Sequence, residues 1–352
     1  MEKVKCDMSL PKITVVGSGQ FGTALAKVAS FTGKYRVSML TRSEDVEVCV
    51  NQIRRNPTIY TEFKLHPNII ATRDTDEALK DTTMIIGCLP AQITPKWLEE
   101  NKDKIPLDVP FVNCAKGMIV EKEMFMSQWV EKLFDGKMKY CMLSGPSFAE
   151  EMMREFPTLV VVASKDQKVA EYVQTALSSK FFRCYTQEDV IGVEVAGALK
   201  NVIAIGAGLL EGFGFGYNTI SGLISVGSAE IQKFATIYKA NPRTFFGLAG
   251  IGDLMLTGFG KLSRNRTFGS RIAKGEKLDY ILENSPTVEG LPTLNVVMKY
   301  IESHDINCPI IKVIYAVVHG KLNKEQAMEK LMLRPARAEE FDYGVSEIGK
   351  EQ

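Results

Sequence analysis

ITVVGSGQFGTALAKVAS, residues 13–30, decides the fold. Four strand-favouring residues, Ile13–Val16, run straight into Gly17-Ser18-Gly19-Gln20-Phe21-Gly22, and an alanine-rich stretch with helical spacing follows. Each glycine has its own reason. The first permits a tight turn out of the strand, the second lets a pyrophosphate approach the backbone, and the third lets the new helix pack on the strand. The helix N-terminus then offers free N–H groups and a positive dipole end to phosphates. Six residues alone are a weak signal, but a place between a strand and a helix is what the dinucleotide motif requires. Gly17, Ser18, Gly19, Gln20, Phe21 and Gly22 are therefore the first cofactor-binding candidates.

Working outward, the first half alternates short β-rich runs with amphipathic stretches. The runs are Ile13–Val16, Arg36–Leu40, Met84–Leu89, Phe111–Cys114, Tyr140–Leu143 and Thr158–Ala163. Such alternation predicts βαβ units and a parallel-rich sheet. Near residue 188 the texture changes. VIGVEVAGALKNVIAIGAGLLEG (190–212) is long, apolar and rich in Gly and Ala, and helical patterns continue through Ser221–Ala240, Ser263–Lys274, Thr293–Ser303 and Lys324–Leu333. The expected architecture is an α/β Rossmann-type N-terminal domain, residues 1–188, followed by a mostly α-helical C-terminal domain, residues 189–352. A length of 352 residues agrees with two domains.

Composition narrows the function. Apolar residues make up 45% and charged residues 24% of the chain, and the net charge is +1. No global field would draw nucleic acid or an anionic membrane, so anion specificity must come from a few placed residues. No apolar run reaches the roughly 18–20 residues of a membrane span. The start, MEKVKCDMSLPK, carries no apolar signal core, and the end, SEIGKEQ, no targeting or lipidation signal; a cytoplasmic location is expected. Seven dispersed cysteines without a CxxC pair read as reduced thiols. The histidines, His66, His304 and His319, are few and far apart, so no metal site is expected.

Several side chains carry chemistry. The acidic residue that usually grips a ribose 2′-hydroxyl about 20 residues after the loop is absent; Arg42 stands there instead. A guanidinium suits a 2′-phosphate, can lie over adenine, or can simply be solvated, and Glu44 and Asp45 keep plain NAD open. Lys200 sits in an apolar helix among Val193, Ala196, Gly197, Ile203, Ala204 and Ala207. A charge on that face is costly unless used or paired, and desolvation lowers its pKa toward a range useful for proton transfer; the alternative is a lysine that snorkels to the surface. Glu194 is one potential partner. Asp253, alone in the apolar run GIGDLMLT, is another, because a buried carboxylate needs a cation or several donors. Ser263 is a good N-cap. Arg264 and Arg266 follow it where their charge opposes the helix dipole, a placement that suits a phosphate better than helix stability; the alternative is a solvated basic turn. Lys116 and the Ser144-Gly145-Pro146-Ser147 turn follow strands, where ligand crevices of open α/β sheets lie.

Together these motifs resemble the NAD(P)-dependent glycerol-3-phosphate dehydrogenase family in its bacterial and trypanosomatid form. The markers are GSGQFGTALA (17–26), CLP (88–90), AKG (115–117), SGPSFAEE (144–151), EVAGALKNVIAIGAG (194–208), GLAGIGDLMLT (247–257), SRNRTFG (263–269) and VEG (288–290). The resemblance implies hydride transfer between NAD(H) or NADP(H) and the pair sn-glycerol 3-phosphate and dihydroxyacetone phosphate, linking glycolysis to glycerolipid metabolism, in a cytoplasmic homodimer. It implies Lys200 as the general acid/base, with Lys116 and Asp253 as catalytic partners. It places Lys116, Gly145, Ser147, Asn201, Asp253, Thr257, Ser263, Arg264 and Asn265 at the substrate. It adds Pro90, Lys116, Ala149, Arg264 and Glu289 to the cofactor set. Phe21, Tyr217 and Val226 depart from the family's usual residues. A dehydrogenase of another small hydroxy acid, or a non-catalytic NAD(P) sensor, would be the alternatives; SGPSFA and SRN argue against the first, and the retained lysine and aspartate against the second.

Overall fold

The computed structural model describes residues 6–285 and 287–333. Its contacts divide the chain into two units, Met1–Ala115 with Met126–Val190, and Lys116–Phe125 with Ile191–Gln352. The sequence pattern assigns everything up to residue 188 to the first domain. The structure instead groups Lys116–Phe125 with the helical unit, where Met118 and Phe125 are buried in the helical core.

The first unit is built on one eight-stranded sheet: β1 (Lys12–Val16), β2 (Arg36–Leu40), β3 (Ile69–Thr72), β4 (Thr82–Gly87), β5 (Pro110–Asn113), β6 (Lys139–Ser144), β7 (Thr158–Ala163) and β8 (Phe182–Gln187), in the order β3-β2-β1-β4-β5-β6-β7-β8. All neighbours are parallel except β6 and β7. Every residue of β1 is buried, as in a sheet covered on both faces. Its polar members are satisfied: Lys12 Nζ donates to the Glu77 carbonyl at 2.9 Å, and Thr14 Oγ1 to the Ala78 carbonyl. The six runs read from sequence all appear, Arg36–Leu40 and Thr158–Ala163 with the same bounds and the other four with ends shifted by a residue or two. The two further strands, β3 and β8, are the sheet edges. β3 is only four residues long, and β8 mixes buried with exposed residues over FRCYTQ. Strand order reverses between β2 and β4 around β1, so the carboxyl end of β1 is a topological switch point.

The second unit is helical, with helices at Val190–Gly212, Tyr217–Ala235, Asp253–Phe259, Arg264–Ala273, Leu278–Glu283, Gly290–Ser303, Pro309–Val318 and Lys324–Met332. The Val190–Gly212 helix is long and apolar enough to cross a membrane by length and composition, contrary to the expectation that no segment reaches that limit. Here 94% of its most apolar window is buried inside the protein. Its glycines serve close packing: a Cβ on Gly208 would lie 1.9 Å from the Arg266 carbonyl oxygen, and one on Gly269 2.0 Å from that of Ile205. Paired glycines thus bring the helices at 190–212 and 264–273 into backbone contact. The buried Glu230 carboxylate accepts from the Ile310 and Ile311 N–H groups at 2.7 and 3.0 Å, satisfying donors at the start of the 309–318 helix.

Candidate active site

Asp253 opens the 253–259 helix immediately after a π-turn, Leu248–Gly252. The turn depends on Gly250, where a Cβ would lie 2.1 Å from the Phe245 carbonyl oxygen. Such turns often mark functional positions, and this one delivers a carboxylate that is 1% exposed into the helical core. Two lysines meet it. Lys200 Nζ donates to Oδ1 and Lys116 Nζ to Oδ2, each at 2.7 Å. Lys200 Nζ also donates to Thr257 Oγ1 at 2.7 Å, and Thr257 Oγ1 donates to the Asp253 carbonyl at 2.6 Å. Lys200 therefore does not snorkel. Its partner is Asp253, and Glu194 is a separate buried carboxylate one and a half turns earlier in the helix.

Among the described residues, two of the three Lys200 N–H groups have partners, which leaves one donor for a substrate oxygen. Burial pulls the Lys200 pKa down to about 8, with the Asp253 charge opposing that fall and the Lys116 charge adding to it. Burial alone would push the Asp253 carboxyl up, but the charges and hydrogen bonds of Lys116 and Lys200 outweigh it and hold the group below its ordinary value. The cluster is thus one carboxylate between two amines, with the Lys200 amine drawn down to about 8.

An amide chain adjoins it. Asn201 Nδ2 donates to the Lys116 carbonyl at 3.1 Å and to that of Gly197 at 3.3 Å. Asn265 Nδ2 donates to Asn201 Oδ1 at 2.9 Å, and Asn265 Oδ1 accepts from Gly290 N at 2.9 Å. Ser263 is the expected N-cap, accepting from Arg266 N at 3.2 Å, and Arg264 begins the helix with an exposed guanidinium. Arg266 takes another role, pairing with Glu211 at 2.7 Å. Lys116, Lys200, Asn201, Asp253, Thr257 and Asn265 are thus joined by direct hydrogen bonds within the helical unit. Gly290 belongs to the same network and is not legible from sequence as a site residue; its only signal is its place in the VEG marker.

The glycine loop lies in the first unit at the end of β1. Gly17 has φ +107°, and a Cβ on Gly22 would sit 1.9 Å from the Gly17 carbonyl oxygen, so neither position accepts a side chain. A Cβ on Gly19 would meet nothing within 4 Å, and no side chain caps the Gln20–Ser30 helix it precedes. The space beside Gly19 is therefore open, and the helix start has no side-chain cap. Ser18 Oγ and Thr41 Oγ1, 2.7 Å apart, tie the loop to the end of β2. Arg42 is exposed in the turn that follows, while Glu44 starts the next helix and pairs with Arg73 at 3.5 Å. Gly145, with φ +129°, and Ser147, donating to the Gly145 carbonyl at 2.9 Å, follow β6; Ala149 opens a short helix behind them. Pro90 is half-buried after β4, and Glu289, in the helical unit, half-buried just before the 290–303 helix. Among the described residues, no group of three or more His, Cys, Asp or Glu could hold a metal ion.

Comparison with known proteins covers both units. A family model described as NAD-dependent glycerol-3-phosphate dehydrogenase N-terminus matches residues 12–170, and its C-terminal counterpart matches residues 189–329. A chloroplastic NAD(+)-linked glycerol-3-phosphate dehydrogenase of Arabidopsis thaliana is 40% identical over 327 residues, covering 92% of this chain and 78% of that protein. The NAD(P)+-linked glycerol-3-phosphate dehydrogenase of Leptospira biflexa is 38% identical over 331 residues, covering 93% of this chain and 99% of that one. Among solved structures, glycerol-3-phosphate dehydrogenase from Coxiella burnetii superposes with a TM-score of 0.86 at 27% identity, covering 92% of this chain and 99% of that one.

Proposed function

The chain belongs to the NAD-dependent glycerol-3-phosphate dehydrogenase family, and on that premise we propose that Lys200 moves the proton while Asp253 and Lys116 set its charge state. The enzyme is an NAD(P)-dependent oxidoreductase that interconverts sn-glycerol 3-phosphate and dihydroxyacetone phosphate. The observation that carries the assignment is the single buried carboxylate shared by Lys200 and Lys116 at 2.7 Å each.

A bound nicotinamide dinucleotide supplies the two-electron donor or acceptor; Gly17–Gly22 would hold its pyrophosphate and Arg42 would meet its adenosine end. In the reducing direction the ketone oxygen gains negative charge, and the Lys200 ammonium donates its remaining N–H to it. The Lys116 ammonium, held on Asp253, adds positive charge to the same cluster. In the oxidising direction neutral Lys200 accepts the hydroxyl proton. Thr257 and Asp253 hold two of the lysine's N–H groups, so the amine is aimed before substrate arrives.

Arg264 and Asn265, with the Ser263 hydroxyl, would hold the phosphate at the start of the 264–273 helix. Binding energy remote from the reacting carbon then orients it. Arg264→Ala should raise KM for dihydroxyacetone phosphate by roughly 10- to 100-fold, the worth of a charge-assisted hydrogen bond, and barely alter the weak reaction of unphosphorylated dihydroxyacetone. Lysine should replace it poorly, because it lacks the planar fork. Steady-state kinetics on the two substrates decide the matter: equal losses on both would remove the phosphate role.

Arg42 would read the cofactor's 2′ position. With no acidic side chain there to repel a 2′-phosphate, both NADH and NADPH should serve. Arg42→Ala should raise KM for NADPH more than for NADH, and the gap should shrink at high salt because the contact is exposed. Equal harm to both would mean that the guanidinium lies on adenine, and no harm that it is solvated. The cytosolic homodimer is the assembly the family resemblance carries, and seven unpaired cysteines support the reducing compartment.

A further inference from the structure

We propose that Asn201 and Gly290 are positioning residues for Lys116, joined to it by a chain of amides with one polarity. The inference rests on the assignment of Lys116 and Lys200 above. The chain begins at a backbone donor, Gly290 N, and ends at a backbone acceptor, the Lys116 carbonyl. Its direction is forced. Gly290 N can only donate, so Asn265 must turn Oδ1 toward it and Nδ2 toward Asn201. Asn201 must then accept on Oδ1 and turn Nδ2 toward Lys116. An amide flip at either asparagine would set oxygen against oxygen or nitrogen against nitrogen at two buried contacts. Such an arrangement costs the desolvation of each unpaired group, so the chain holds one state.

Asn201, grouped by resemblance with the substrate pocket, has both amide hydrogens engaged, one on Lys116 and one on Gly197 within its own helix. It has no donor to give a substrate without releasing Lys116. Its rigid helix fixes the backbone of a lysine whose segment, Lys116–Phe125, joins the helical unit from outside the main run of its sequence. Gly290 sets the other end. A Cβ there would sit 2.7 Å from Asn265 Oδ1, 2.8 Å from the Asn201 carbonyl oxygen and 2.9 Å from Ile205 Cδ1. Any side chain at 290 therefore pushes directly on both asparagines. The absence of a side chain lets the 290–303 helix start close enough for its first N–H to fix the polarity.

The test is a double-mutant cycle on kcat for dihydroxyacetone phosphate reduction. Asn201→Ala should lower kcat by about 10-fold, the scale of lost buried hydrogen bonds, and leave dinucleotide affinity unchanged. In a Lys116→Ala background the same substitution should have almost no further effect, because the residue through which it acts is gone. Gly290→Ala, which removes no polar atom, should reproduce the loss and the same non-additivity, so the result does not depend on one variant folding well. Full, additive losses in the Lys116→Ala background would overturn the proposal and make both residues structural or substrate-binding. A Lys116→Ala enzyme with normal kcat would instead overturn the site assignment itself, which is a distinguishable failure.

Discussion

Lys200→Ala should cut turnover by about 10²–10⁴-fold, the usual contribution of a positioned general acid–base group, with dinucleotide affinity nearly unchanged. The reason is geometric. The amine is 6% exposed, two of its N–H groups are tied to Asp253 and Thr257, and the lysine at 116 is held on the other carboxylate oxygen. Lys116 cannot swing in to replace it without abandoning Asp253. Measured by stopped-flow or steady-state oxidation of the reduced dinucleotide, a variant that keeps most of its turnover would exclude Lys200 as the proton carrier.

Asp253→Asn should be nearly as damaging, and it should also weaken the fold. The change keeps the shape but leaves two lysines facing a neutral amide. Removing one partner of a buried ion pair typically costs roughly 3–5 kcal/mol, so the denaturation midpoint should fall. Burial already draws Lys200 down to about 8 against the pull of the carboxylate. Without that pull the amine titrates lower, so less of it carries a proton for the ketone oxygen at neutral pH. Reduction should therefore drop by about 10²-fold or more, and part of the loss should return at lower pH as the lysine is recharged. A loss of stability with turnover intact would confine Asp253 to a structural role.

Much of this site is legible in the amino-acid sequence. The glycine loop stands out because each glycine answers a local demand, and Lys200 because a lone charge in an apolar helix needs a reason. Asp253 is legible for the same reason and as the natural partner. The rest depends on contacts that no local pattern encodes. Gly208 lies against the Arg266 backbone and Gly269 against that of Ile205 only because two helices pack at backbone distance, in the same helix pair whose Asn265 bonds Asn201. Lys116 follows a strand of the first unit yet packs in the second, so its segment reads as an ordinary loop of the first domain. β3 is hard to read because a four-residue run is short, and β8 because FRCYTQ mixes buried with exposed residues. Gly290 looks like a helix start rather than the end of a hydrogen-bonded chain.

The most direct measurement is the pH dependence of the wild-type enzyme in both directions. Donation requires the ammonium form of Lys200, so dihydroxyacetone phosphate reduction should be full below a midpoint near pH 8 and fall as pH rises through it. Acceptance requires the neutral amine, so glycerol 3-phosphate oxidation should rise through the same midpoint. Mirror-image profiles sharing that midpoint are the predicted result; profiles that are flat across neutral to alkaline pH, or that keep the midpoint in the Lys200→Ala enzyme, would contradict it.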